Sequence, residues 1–115
     1  MAHVKIYYTK DNRKIAEDVN LVREIMIHGN VNMQMIEKYY TVVYEFVHIK
    51  MIVDTNKFLE ELFRKFNSSD NPLNNPDSQE KIKNSGTFTS MTIGSVIQIG
   101  DEYYSVAAFG FKKFS

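Results

Sequence analysis

The stretch that decides the fold is residues 95–109, Ser95-Val96-Ile97-Gln98-Ile99-Gly100-Asp101-Glu102-Tyr103-Tyr104-Ser105-Val106-Ala107-Ala108-Phe109. Ile93, Ser95, Ile97 and Ile99 alternate with Gly94, Val96 and Gln98, the two-residue period of a strand with one face turned inward. Gly100-Asp101 is a two-residue turn signal, because a primed turn needs residues that accept a positive φ. Glu102 to Phe109 then runs back. The stretch predicts a β-hairpin, and therefore antiparallel pairing at this end of the chain.

Working outward, residues 3–9 (HVKIYYT) place Val4, Ile6 and Tyr8 opposite Lys5 and Tyr7, again a half-buried strand. From Tyr39 to Val53 the chain is dense in β-branched and aromatic residues, interrupted only by Glu45, His48 and Lys50. With both faces largely apolar, that stretch predicts a long central strand. Between these strands, Lys10 to Lys14 is a polar turn in which Asp11 or Asn12 can cap a helix. Ile15, Val19, Val22 and Met26 predict a helix over Lys14–His28, stopped at Gly29-Asn30, although Ile25-Met26-Ile27 would also suit the start of a strand. Asn30 to Glu37 carries no decisive period.

Phe58, Leu59, Leu62, Phe63 and Phe66 form one apolar stripe and predict a core-facing helix over Lys57–Asn67, with Asp54, Thr55 or Asn56 as its cap. Ser68 to Ser90 is polar, anchored by Leu73, Ile82 and Phe88, with a capping box at Asp77-Ser78-Gln79-Glu80 that opens one or two helical turns through Lys83. It reads as a surface connection crossing one end of the sheet. The expected order is β-α-β-α-(loop)-β-β. This is one α+β domain over residues 1–115, with an antiparallel sheet of about four strands and two or three helices on one face.

The chain has 115 residues, 43% hydrophobic and 24% charged, a composition that supports a packed core without staples. It contains no cysteine, which excludes disulfides, thiolate nucleophiles and Cys-based zinc sites and fits a reducing cytoplasm. No apolar run reaches the roughly 18 residues of a membrane span, and the N-terminus has no signal-peptide pattern. Fourteen basic side chains balance fourteen acidic ones. That balance argues against a duplex nucleic-acid binder and leaves little repulsion between copies, so a homodimer is compatible.

Chemistry-bearing motifs are absent. His3, His28 and His48 stand in no ligand spacing, so no metal site is expected. His48 reads as a hydrogen-bonded sheet histidine. Asp70 and Asp77 suit turn and cap roles, Ser90 and Ser95 lack a nucleophile-elbow context, and Gly94 and Gly100 form no phosphate loop. Neither catalysis nor a cofactor is expected.

Phe109-Gly110-Phe111-Lys112-Lys113-Phe114 resembles the aromatic half of an RNA-recognition signature in which exposed rings stack on bases. The fold that carries that signature is excluded, because the signature strand should be followed by a helix and another strand. Two uses remain for these residues. The aromatics can seal the sheet edge with lysines guarding it. Alternatively, Tyr103, Tyr104, Phe109, Phe111, Lys112 and Lys113 can form a binding surface for single-stranded nucleic acid or a nucleotide.

Thr89-Ser90-Met91-Thr92-Ile93-Gly94-Ser95-Val96-Ile97, continuing through Tyr104-Ser105-Val106-Ala107-Ala108-Phe109-Gly110-Phe111, resembles a C-terminal signature of small proteins encoded on bacteriophages, plasmids and other mobile elements. Leu62-Phe63-Arg64-Lys65-Phe66-Asn67 and Asn71-Pro72-Leu73 extend the resemblance over Phe58 to Phe114. Ser95 stands where that signature usually has Asp. The resemblance carries no catalytic residue. It implies a viral or mobile-element accessory protein that binds a host protein, such as a defence component, in the manner of anti-CRISPR proteins.

Overall fold

The computed structural model describes residues 1–10, 12–85 and 89–115, the side chains of residues 81 and 83–85 excepted. Asp11 and Phe88, two of the residues expected to cap or anchor, lie outside the described residues. The framework is a five-stranded sheet, every neighbouring pair antiparallel, in the order β2-β1-β3-β4-β5. The strands are β1 (Ala2–Thr9), β2 (Tyr40–His48), β3 (Val96–Ile99), β4 (Glu102–Val106) and β5 (Phe111–Lys113).

The expected hairpin is present as β3 and β4, with Ile97 opposite Tyr104 and Ile99 opposite Glu102 across the Gly100-Asp101 turn. Its return strand ends at Val106, short of Phe109. A second turn at Ala107–Gly110 sends the chain back as β5, so the sheet has five strands where four were expected. Gly110, at φ +79°, allows that reversal.

The long apolar strand is also corrected. β2 lies at the edge of the sheet, and the interior positions belong to β1, β3 and β4; Val4 and Ile6 of β1 are fully buried. Apolar residues on both faces of β2 therefore do not signify burial on both: Val42, Val47, Ile49, Met51 and Val53 are all exposed. Pairing slips between Ile6/Tyr7 and Tyr44/Val42, leaving Val43 as the extra residue. This bulge lets Val43 and Tyr44 both pack on the same cluster.

Helices cover both faces of the sheet, where one was expected. The even residues of β1 (Val4, Ile6, Tyr8) join Ile97 and Val106 beneath Leu59, Leu62 and Phe66 of a helix over Thr55–Lys65, together with Leu73, Ile82 and Met91. Tyr7, on the opposite face, joins Val96 beneath Ile25, Val31 and Ile36. The alternation of a two-sided strand places each set.

The predicted helix over Lys14–His28 is broken. α1 (Asn12–Ala16) stops before Asp18, whose carboxylate accepts from the Asn20 and Leu21 amides and starts a new turn, α2 (Val19–Leu21). An Asp that can cap competes with continuing the helix. A π-helical segment, Val22–Ile27, follows, closed by His28 N–H to the Arg23 carbonyl at 3.1 Å. The wider winding buries Ile25 completely and leaves Val19 and Ile27 outside.

The undecided segment forms α3 (Met33–Tyr39), capped by the Asn32 side chain on the Met35 amide. α4 (Thr55–Lys65) is capped by Asp54 as expected. The described part of the polar connection is mostly exposed and is pinned to the core at a few residues. Asn71, buried, donates to the carbonyls of Phe66 and Thr89, and Leu73 is fully enclosed. Its helix α5 (Pro76–Ser85) begins before the expected capping box, with Asn75 accepting from the Ser78 amide.

Candidate interaction surface

The six aromatic and basic residues of the C-terminal hairpin do not form one surface. β4 alternates, so Tyr103 and Tyr104 lie on opposite faces. Tyr103 sits with Tyr7 and Phe114 in an aromatic row, ring centres 6.2 and 5.9 Å apart. Tyr104 packs beside Phe111 on the α4 face. Both lysines are engaged: Lys112 Nζ donates to Asn30 Oδ1 at 2.6 Å, and Lys113 Nζ lies 3.3 Å from Glu102 Oε1. Tyr104 donates to the other oxygen of Glu102 at 2.7 Å. Loss of solvent, together with that carboxylate, pushes the Tyr104 phenol up to about 12. The hydrogen bonds from Tyr104 and Lys113 hold Glu102 below the usual carboxylate range.

Phe109 departs from the rest. It stands at the tip of the 107–110 turn with 97% of its surface exposed. The turn is not loose: the Ala107 N–H donates to the Gly110 carbonyl at 3.0 Å, and Ala107 itself is buried. Beside the turn opens a groove of about 250 Å³ between β5 and α4, lined by Glu60, Phe63, Val106, Ala107, Gly110 and Phe111. Phe63 closes the apolar stripe of α4 and was expected in the core. It lies at the stripe's margin and is 36% exposed, while Leu59, Leu62 and Phe66 take the buried positions. The sequence signal that could have separated Phe63 is its angular offset from those three.

A second cavity, of about 320 Å³, is lined by Tyr8, Thr9, Asn12, Met26, Ser90, Thr92, Ile93, Gly94 and Ser95. These supply hydroxyl, amide and apolar groups, with no carboxylate or imidazole among the described residues that line it. Ser95 is buried and its Oγ accepts from the Thr92 amide, so it holds a turn. Asp70 and Asp77 are exposed, the latter in the first turn of α5. His48 packs at a tilt against Phe58, ring centres 4.7 Å apart and planes at 58°. His3 faces Glu45 at 3.3 Å. Among the described residues no three His, Cys, Asp or Glu side chains gather around a common point.

The fold and this surface define a class: a small α+β protein built on one antiparallel sheet, presenting an apolar knob and groove at one sheet edge. The chain belongs to the family of Uncharacterized protein R785 of Acanthamoeba polyphaga mimivirus. It is 40% identical to that protein over 75 residues, which cover 65% of this chain and 68% of the relative. The viral relative agrees with the viral setting that the sequence resemblance implied. No family model matches the chain, and no solved structure matches it. Among the described residues no helix is long and apolar enough to cross a membrane.

Proposed function

We propose that the protein is a non-enzymatic viral accessory protein that acts by binding a host-cell protein in the host cytoplasm, with Phe109 as its anchor. The observation that carries this reading is a phenylalanine held almost entirely in water by an ordered turn, next to an apolar groove. Fixing a large ring in solvent contributes nothing to the fold. In a complex it contributes the buried aromatic contact on which interfaces depend. The partner presents a pocket for Phe109 and an apolar side chain for the groove between Phe63 and Phe111. A Lys or Arg beside that chain meets Glu60. The family's tie to a virus named for an amoeba turns attention from bacterial CRISPR systems to host proteins at large, defence components among them.

The test is affinity capture from amoebal lysate with the wild-type chain, Phe109→Ala and Glu60→Lys side by side. A stoichiometric protein retained by the wild type and lost with either variant, at unchanged melting temperature, is the expected result. Retention of the same protein by both variants would refute this surface. Salt-sensitive binding of a fluorescent single-stranded oligonucleotide that Phe109→Ala abolishes would replace the protein partner with nucleic acid.

A further inference from the structure

The cavity of about 320 Å³ at the end of β1 takes no part in the Phe109 surface, and its volume is that of a small-molecule site. Its walls are fixed from several sides. Gly94 donates its N–H to the Val106 carbonyl at 2.8 Å, and its own carbonyl accepts the Tyr40 hydroxyl. The Ser95 N–H donates to the Thr92 carbonyl at 3.0 Å. On the helical side, the π winding presses the buried Ile25 against Gly94 and leaves the next residue, Met26, on the cavity wall. Walls held in this way are set before a ligand arrives, so little ordering accompanies binding.

The polar groups on these walls keep unspent hydrogen-bonding capacity. Thr9 gives its hydroxyl proton to Asn12 Oδ1 at 2.8 Å, which leaves the Thr9 oxygen able to accept. The Asn12 amide nitrogen then holds two protons with no acceptor among the described residues. Ser95 is buried and its Oγ accepts from the Thr92 amide at 3.0 Å, while its own proton has no acceptor among the described residues. A buried donor of this kind, on the wall of a cavity, is one that a ligand oxygen satisfies.

No charged side chain is among the described residues that line the cavity. An ionised ligand would lose its hydration there without a counter-charge, and that cost selects neutral molecules. Met26 and Ile93 supply apolar surface, and a thioether packs favourably against a ring. We infer that this cavity binds a small uncharged heterocycle carrying a cyclic amide, the class of uracil and its nucleoside. Ring carbonyls accept from Asn12 and Ser95, and a ring N–H donates to Thr9. Molecules of this class offer both kinds of partner on one flat, neutral body.

Titration with uridine, followed by amide and methyl NMR shifts, tests the site. Uridine is expected to move Thr9, Asn12, Ser95 and the Met26 methyl together and to saturate them. Orotate, the same ring bearing a carboxylate, should bind at least about tenfold more weakly. Asn12→Asp keeps the acceptor for Thr9 but exchanges the two donor protons for a charged oxygen, and should weaken uridine by roughly tenfold or more. Thr9→Val, which removes the acceptor, should weaken it by roughly three- to tenfold and serves where Asn12→Asp lowers the melting temperature. Phe109→Ala should bind uridine as the wild type does, so this result and that for host-protein capture fail separately. Uridine that leaves these four residues unmoved, orotate bound as tightly as uridine, or wild-type affinity in both cavity variants would overturn the inference.

Discussion

Gly29 and Val106 approach so closely that a methyl group on the glycine would stand 2.2 Å from the valine carbonyl oxygen. Here the end of the π-helical segment is pressed onto β4, and the fully buried Ser105 hydroxyl donates to the Gly29 carbonyl. One point of contact thereby joins the helices of one face to the strand that leads into the Phe109 turn. Gly94 repeats the arrangement one layer away: an added Cβ would meet the Ile25 carbonyl at 2.6 Å, and Tyr40 donates its hydroxyl proton to the Gly94 carbonyl.

Gly29→Ala should therefore be among the most damaging small substitutions in the chain. The residue sits at φ +66°, which L side chains adopt at a cost, and the clash is with backbone that cannot swing aside. A loss of about 3 kcal/mol or more is expected in urea unfolding. Ser105→Ala removes only the hydroxyl and should cost about 1–3 kcal/mol, since it leaves a buried carbonyl without its donor. If Gly29→Ala proves milder than Ser105→Ala, the close approach is not what the structure shows.

The stripe of α4 separates core from surface within one helix. Leu59→Ala and Phe66→Ala empty fully buried positions and should each cost about 2–5 kcal/mol. Phe63→Ala, at the groove margin, should cost less than about 1.5 kcal/mol. Urea midpoints at constant slope give the comparison, and equal losses at all three positions would place Phe63 in the core.

Alkaline pH offers a separate handle. Burial pushes the Tyr7 phenol up to about 12 and raises Tyr8 and Tyr40 further in the same direction. A raised phenol keeps its proton in the folded chain after the unfolded chain has lost it. Its contribution is complete below the unfolded value near 10 and falls as pH rises toward the folded value. Stability should be insensitive to these groups up to about pH 9. Above pH 10 it should decline, each phenol adding up to about 1.4 kcal/mol per pH unit. Melting Tyr40→Phe beside the wild type from pH 9 to 11 checks this, because the variant should show the shallower decline.

Much of the sheet was legible in the chain, and the failures share a cause. The β3–β4 hairpin, the β1 strand and the Asp54-capped α4 follow from local periods and turn chemistry, which short windows contain. The edge position of β2 does not. Apolar residues on both faces of a stretch do not by themselves fix burial, and here Val42, Val47, Ile49, Met51 and Val53 are exposed. For the same reason Phe109 was readable as core or as surface. The choice depends on whether β4 runs on or turns at Gly110, a decision made by long-range pairing with β5. Asn71, which fastens the polar connection through two carbonyls, is invisible in sequence because one acceptor, the Thr89 carbonyl, lies 18 residues away.

The break in the first helix can be tested by its cap. Asp18 accepts from the Asn20 amide at 3.0 Å and the Leu21 amide at 3.3 Å, satisfying donors that a continuous helix would have paired with carbonyls. Asp18→Ala removes that acceptor and should cost about 1 kcal/mol. Alanine also favours a continuous helix, which would turn Val19 inward and shift the register that now buries Ile25. The variant should accordingly lose more than the cap alone, and its chemical-shift changes should spread from Asn20 to Gly29. Changes confined to residues 18–21, with a loss of at most about 1 kcal/mol, would show that the π-helical segment holds its winding without help from Asp18.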